Sequence, residues 1–207
     1  MRSVQSGARR RKRNSGCGAG FFVFVLFLVA IIFVVWWAVR NTGGVMEKIR
    51  KTQYPIKYEH FVETYAAKFG IEPSLVYGVI RTESDFDVYA VSTAQAKGLM
   101  QITDETGTDC AKKLKLTKYS DDMLFDPETN IMLGCYYLSS LIKKYEHIEN
   151  ALAAYNGGPG NADGWLKDPG ITDSSGKLVN IPFEETRNYV ERVLEARDMY
   201  KSLYGLK

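Results

Sequence analysis

One stretch constrains this chain before any other. Residues 19–39 read AGFFVFVLFLVAIIFVVWWAV, 21 residues without a charge. At 1.5 Å rise per residue, about 20 such residues span the roughly 30 Å hydrocarbon core of a bilayer. The apolar region of a signal peptide is shorter, about 7–15 residues, and is followed by small residues at a cleavage site. Here Trp36, Trp37 and Arg40 stand in that place, and the two tryptophans suit an interfacial belt. The stretch reads as an uncleaved anchor; a long signal peptide that is removed is the plainer alternative. The run Arg9-Arg10-Arg11-Lys12-Arg13 precedes it, which puts the N-terminus in the cytoplasm and everything after Arg40 outside.

Charge divides the chain the same way. Residues 1–50 carry nine Lys/Arg and a single acid, Glu47, whereas the remainder carries 18 bases and 23 acids. The basic character therefore belongs to the N-terminal tail, and the bulk of the protein is mildly acidic. A nucleic-acid-binding domain shows the opposite arrangement, so no nucleic-acid partner is expected. The basic run next to a span is a topology signal that also meets anionic headgroups. The organisation is a basic cytoplasmic tail (1–18), a transmembrane anchor (19–39), a polar stem or linker (40–56) and one extracytoplasmic domain (57–207).

That domain has helical periodicity throughout and is expected to be mainly α. Phe61, Tyr65 and Phe69 recur four apart, and Glu72-Pro73 marks a helix start with proline in the first turn. The next helix carries Leu75, Val76, Val79 and Ile80 on one face. Residues 130–145 repeat Ile131, Cys135, Leu138 and Tyr145. A short helix at 150–155 stops at Asn156-Gly157-Gly158-Pro159-Gly160. From Glu184 to Tyr204, the residues Tyr189, Val193, Ala196, Tyr200 and Leu203 form a 4,3,4,3 stripe. Lys177 to Ile181 is the best candidate for a small strand or extended loop.

Glu83 falls four residues after Val79 and three after Ile80, at the end of an apolar face. A carboxyl there is poorly solvated, its pKa rises, and it becomes able to donate a proton near neutrality. The plainer reading is a glutamate reaching out to solvent at a helix end. The following segment, ESDFDVYAVSTAQAKGLMQIT, is expected to be a polar loop leading into a buried helix, which suits a groove for a polar ligand. Two histidines, His60 and His147, have no cysteine near them, so no metal site and no cofactor are expected. Cys110 and Cys135 lie outside the membrane, where a disulfide persists; two buried thiols fit equally well.

Four blocks stand in order: E-S-x-F-x-x-x-A-x-S-x-x-x-A-x-G-L-M-Q from Glu83 to Gln101, F-D-P-E-T-N-I-x-L-G-x-x-Y-L from Phe125 to Leu138, A-L-A-A-Y-N-G-G-P-G from Ala151 to Gly160, and I-P-F-x-E-T-R-x-Y-V from Ile181 to Val190. Together they resemble the catalytic domain of soluble-lytic-transglycosylase-type murein lytic transglycosylases, over roughly residues 55–205. The resemblance implies a lysozyme-like, two-lobed helical domain that holds a peptidoglycan strand in a groove. It also implies cleavage of the β-1,4 bond between N-acetylmuramic acid and N-acetylglucosamine without water, leaving a 1,6-anhydromuramyl end. Carried over by motif, Glu83 is the catalytic acid/base. Ser92 contacts substrate near the muramyl N-acetyl group, Gln101 lines the groove, Tyr155 lies near the carboxyl with Asn156 beside it, and Tyr189 also lines the site.

One carboxyl suffices for this chemistry. Hydrolysing glycosidases use a second carboxylate as nucleophile or base. A transglycosylase uses the muramyl C6 hydroxyl, already tethered to the reacting sugar at high effective molarity. Asp85 and Asp87 are close in sequence but are not expected to act as a second catalytic group. The sequence departs from the family at Thr103, where Met or Leu is frequent, and at Gly157, where the frequent residue is alanine. The alternatives are a muramidase that adds water, as goose-type lysozymes do with a similar fold and single glutamate, and a non-catalytic glycan-binding or scaffold protein.

Overall fold

Residues 17–206 are described by the structure, a computed structural model. The basic tail expected over 1–18 lies, as far as residue 16, outside the described residues. Two compact units divide between Ile49 and Arg50.

The described part of the first unit, residues 17–49, is helical. Helix α1 runs from Cys17 to Gln53, and its apolar part is long enough to cross a membrane, with Phe21, Ile32 and Trp37 all more than half exposed. Apolar side chains on all sides of a helix, unburied by protein, are what a lipid-facing span requires.

The second unit begins at Arg50, and the end of the stem packs with it. The Tyr204 hydroxyl donates to the Tyr54 carbonyl at 2.7 Å, and the Tyr200 hydroxyl donates to the Pro55 carbonyl at 3.2 Å. Seven helices follow the stem: α2 (Glu59–Phe69), α3 (Pro73–Ser84), α4 (Asp104–Lys113), α5 (Pro127–Tyr145), α6 (Ile148–Gly157), α7 (Pro159–Trp165) and α8 (Glu184–Tyr204), with a 3-10 turn at Asp121–Phe125. Among the described residues there is no strand. The segment around Lys177 forms one isolated antiparallel bridge, Thr172 with Leu178.

Local chemistry sets these boundaries. Pro73 occupies the first turn of α3, where its missing N–H costs nothing. Asp126 caps α5 by accepting from the Thr129 N–H at 2.9 Å and from the Thr129 hydroxyl at 2.8 Å, with Pro127 in the first turn. The breaker at Gly157-Gly158-Pro159 ends α6, and Pro159 at once opens α7. Thr103, the departure from the family pattern, is the N-cap of α4: its hydroxyl accepts from the Thr106 N–H at 3.2 Å.

The core is built where α3 meets α8. The stripe Tyr189, Val193, Ala196 and Tyr200 of α8 is buried, as are Leu75, Val76, Val79 and Ile80 of α3, and the two helices pack on each other, with Tyr77 stacked on Tyr200. Gly78 permits the close approach, since a Cβ there would lie 2.8 Å from the Val193 carbonyl and 3.2 Å from the Arg197 N–H. This packing fixes the C-terminal turn of α3, and with it Glu83.

Candidate active site

Glu83 sits in the last turn of α3 and is half-buried. Its nearest charged and polar neighbours, Tyr189, Arg192 and Glu185, belong to α8. Burial pushes its pKa up from the ordinary 4.5 to about 7. Three neighbours modify that shift. The Tyr189 hydroxyl and the Arg192 guanidinium favour the charged form, and Glu185 opposes it. The Tyr189 hydroxyl faces the carboxyl yet falls short of a settled bond, being a buried hydroxyl without a hydrogen-bond partner. A group so poised carries its proton at mildly acidic pH and surrenders it near neutrality.

The turn behind the acid is strained. Asp85 (φ 47°) and Phe86 (φ 67°) are two successive non-glycine residues in the left-handed region, at a cost of about 1–2 kcal/mol each. Asp85 and Asp87, the acids nearest in sequence, both have local partners. The Asp85 carboxylate accepts from the Arg81 guanidinium at 3.0 Å, and that of Asp87 accepts from the Tyr89 N–H at 2.9 Å.

Two aromatic side chains complete the wall. Tyr155, near the end of α6, and Tyr189, near the start of α8, lie with ring centroids 6.5 Å apart and planes 5° from parallel. Both hydroxyls have raised pKa values, from burial first and the Glu83 charge second, so both stay protonated donors. The Tyr155 hydroxyl donates to the Met100 carbonyl at 2.8 Å, which joins α6 to the loop before α4.

That loop is held from several sides. Ser84 donates to the Leu99 carbonyl at 2.8 Å. Gln101 (φ 49°) donates from Nε2 to the Ala90 carbonyl at 3.0 Å and to the Gly98 carbonyl at 2.9 Å. Ser92 accepts from the Ala96 N–H at 3.1 Å and is half-buried. The GLMQ block is thus a pinned turn, with Leu99 and Met100 buried, not the start of a helix. Asn156 is half-buried beside Tyr155.

Two contributors, Asn130 and Arg192, lie outside what the sequence alone singles out. Buried Asn130 accepts from the Met100 N–H at 2.7 Å and donates to the Lys97 and Leu124 carbonyls at 2.9 and 2.8 Å, so one side chain locks the loop. Its position within F-D-P-E-T-N was the only available signal. Arg192 places a cation in the field of Glu83. Ser84, beside the acid, ties α3 to the loop.

A cavity of about 310 Å³ flanks the acid. Tyr54, Arg81, Thr82, Asp85, Arg192, Glu195 and Ala196 line it, and the Glu83 carboxyl is not among them. Cys110 and Cys135 are separate buried thiols, so no disulfide joins them here. Among the described residues, no group of three or more His, Cys, Asp or Glu side chains gathers around a metal position.

Residues 60–176, more than half of the chain, match the transglycosylase SLT domain. The chain belongs to this family. Its SLT-family relatives include the soluble lytic murein transglycosylase of Escherichia coli K12, 32% identical over 178 residues that cover 83% of this chain and 28% of the relative. Another is the membrane-bound lytic murein transglycosylase C of Yersinia pestis, 38% identical over 167 residues that cover 70% of this chain and 47% of the relative. Among solved structures, the 70 kDa soluble lytic transglycosylase of Escherichia coli superimposes with a TM-score of 0.70 at 33% identity, over 75% of this chain and 26% of that one. An inactive mutant of lytic transglycosylase Slt from Pseudomonas aeruginosa gives 0.68 at 32% identity, over 73% and 25%. The chain therefore spans between a quarter and a half of the length of these SLT relatives.

Proposed function

We propose that this SLT-family chain is a membrane-anchored peptidoglycan lytic transglycosylase. Helix α1 would hold it in the membrane with the N-terminus in the cytoplasm, presenting the second unit to the wall. The basic run before the span and the membrane-bound Yersinia pestis relative support that layout. The observation that carries the chemistry is Glu83, half-buried at the end of α3 against Tyr189, with its pKa pushed up to about 7.

The glycan strand lies in a groove between two lobes. Neutral Glu83 protonates the oxygen of the β-1,4 bond between N-acetylmuramic acid and N-acetylglucosamine. The C1–O bond breaks, and positive charge develops at the muramyl C1. The carboxylate left behind takes the proton from the muramyl C6 hydroxyl, whose oxygen closes on C1. Glu83 ends protonated, no water is consumed, and the product carries a 1,6-anhydro ring. Intramolecular attack has the effective molarity that replaces a second carboxylate. Gln101 and Ser92 contact the strand from the pinned loop, and Tyr155, Asn156 and Tyr189 hold sugar and acid in register. The inactive Pseudomonas aeruginosa relative, whose single change replaces a glutamate by glutamine, supports a glutamate in this role.

The full chain in detergent should clear a suspension of purified peptidoglycan, and the Glu83→Gln variant should bind the same material without clearing it. Clearing by Glu83→Gln at the parent rate would end the proposal. Binding by the parent with no turnover would favour a scaffold.

A further inference from the structure

The stem between span and domain does more than connect them. Tyr54 lays its ring under the Arg81 guanidinium, 4.2 Å from ring centroid to Cζ. Arg81 turns back to the Asp85 carboxylate at 3.0 Å, while the Asp85 N–H donates to the Arg81 carbonyl at 3.1 Å. Two bonds thus close a loop whose interior is Thr82, Glu83 and Ser84. Three residues after Tyr54, just past the end of the stem, the Lys57 ammonium lies 5.5 Å from the ring of Phe86. The stem and the residue that follows it therefore touch the chain two residues before the acid and three residues after it.

This bracket encloses the strained pair Asp85 and Phe86. Left-handed backbone at two adjacent side-chain-bearing residues persists only where its surroundings over-determine it. The stem is itself held by Tyr200 and Tyr204 of α8, and the Tyr54 ring meets that of Tyr200 edge-on at 5.6 Å. Tyr200 in turn stacks on buried Tyr77 of α3 at 5.0 Å.

We infer that the membrane-proximal stem is part of the catalytic apparatus, with Tyr54 and Arg81 as positioning residues that hold the last turn of α3, and so the Glu83 carboxyl, against Tyr189. The inference rests on Glu83 being the acid. Such a clamp acts on the reacting geometry more than on strand binding. A carboxyl displaced by a fraction of an ångström to 1 Å loses proton-transfer rate by about ten- to a hundredfold.

The test uses the full chain in detergent with soluble glycan strands, measuring kcat and KM separately, with thermal unfolding of every variant. Tyr54→Leu and Arg81→Gln should each lower kcat at least about tenfold with KM within about twofold, at an unfolding temperature that leaves the protein fully folded in the assay. Tyr54→Phe keeps the ring over Arg81 and should restore kcat. If Tyr54→Leu fails to fold, Arg81→Lys, which keeps the charge but loses the planar guanidinium over the ring, should show the same kcat loss. Unchanged kcat in folded Tyr54→Leu or Arg81→Gln, or loss of kcat in Tyr54→Phe equal to that in Tyr54→Leu, would overturn the inference. Glu83→Gln is run beside them. Full turnover by it would sink the assignment of the acid itself, whereas a dead Glu83→Gln with an unaffected Tyr54→Leu would sink the stem's role alone.

Discussion

The rings of Tyr155 and Tyr189 lie 6.5 Å apart and within 5° of parallel, yet their hydroxyls are in opposite situations. That of Tyr155 is spent on the Met100 carbonyl, while that of Tyr189 is buried without a partner beside Glu83. A buried hydroxyl without a partner costs stability.

Tyr189→Phe should therefore stabilise the fold or leave it unchanged while lowering kcat. Deleting an unpaired buried group relieves a desolvation cost on the order of 1 kcal/mol. Thermal unfolding and turnover, measured on one preparation, check the opposite signs. Tyr155→Phe should instead lose about 1 kcal/mol, because the Met100 carbonyl forfeits its donor.

Glu83 ties stability to pH with a definite sign. Its folded pKa, about 7, exceeds the ordinary 4.5, so between those values the native state holds a proton that the unfolded chain has released. Its contribution is fully present below about pH 4.5, falls as pH rises through the window, and is gone above about 7. Denaturant titrations across this range should show Glu83→Gln lacking that part of the slope.

The neighbouring charges should move the pH–rate profile in opposite directions. Activity that needs neutral Glu83 falls above about pH 7. Arg192 lowers that pKa, so Arg192→Gln should shift the falling limb to higher pH. Glu185 raises it, so Glu185→Gln should shift the limb lower. Profiles of kcat/KM for the three proteins decide.

Asn130→Ala should be among the most damaging changes away from Glu83. It strands a buried N–H at Met100 and removes a donor from two carbonyls, for a loss of at least about 2 kcal/mol, or on the order of 5 °C in Tm. Thermal unfolding of the full chain measures it.

Thiol reagents should reach Cys110 and Cys135 only after unfolding, since both are buried and unbonded, and reductant should leave Tm unchanged.

Much of this was legible in the sequence where one physical signal dominated. The 4,3,4,3 stripe of α8 falls within Glu184–Tyr204, the bounds read for it from the sequence. Helix α4 left no such trace, because only Gly107, Cys110 and Ala111 of its ten residues are buried and its start depends on the Thr103 cap. Asn130, Arg192 and Tyr54 were illegible for a different reason. Each acts through a partner 30 or more residues away in sequence or on another helix, and periodicity carries no record of such contacts.

The most direct test of the central claim is the chemistry of the products. Peptidoglycan digested by the full chain in heavy-oxygen water, and analysed by mass spectrometry, should release muropeptides one water lighter than hydrolysis products and free of the heavy label. Reducing-end products carrying that label would contradict the account and establish a hydrolase.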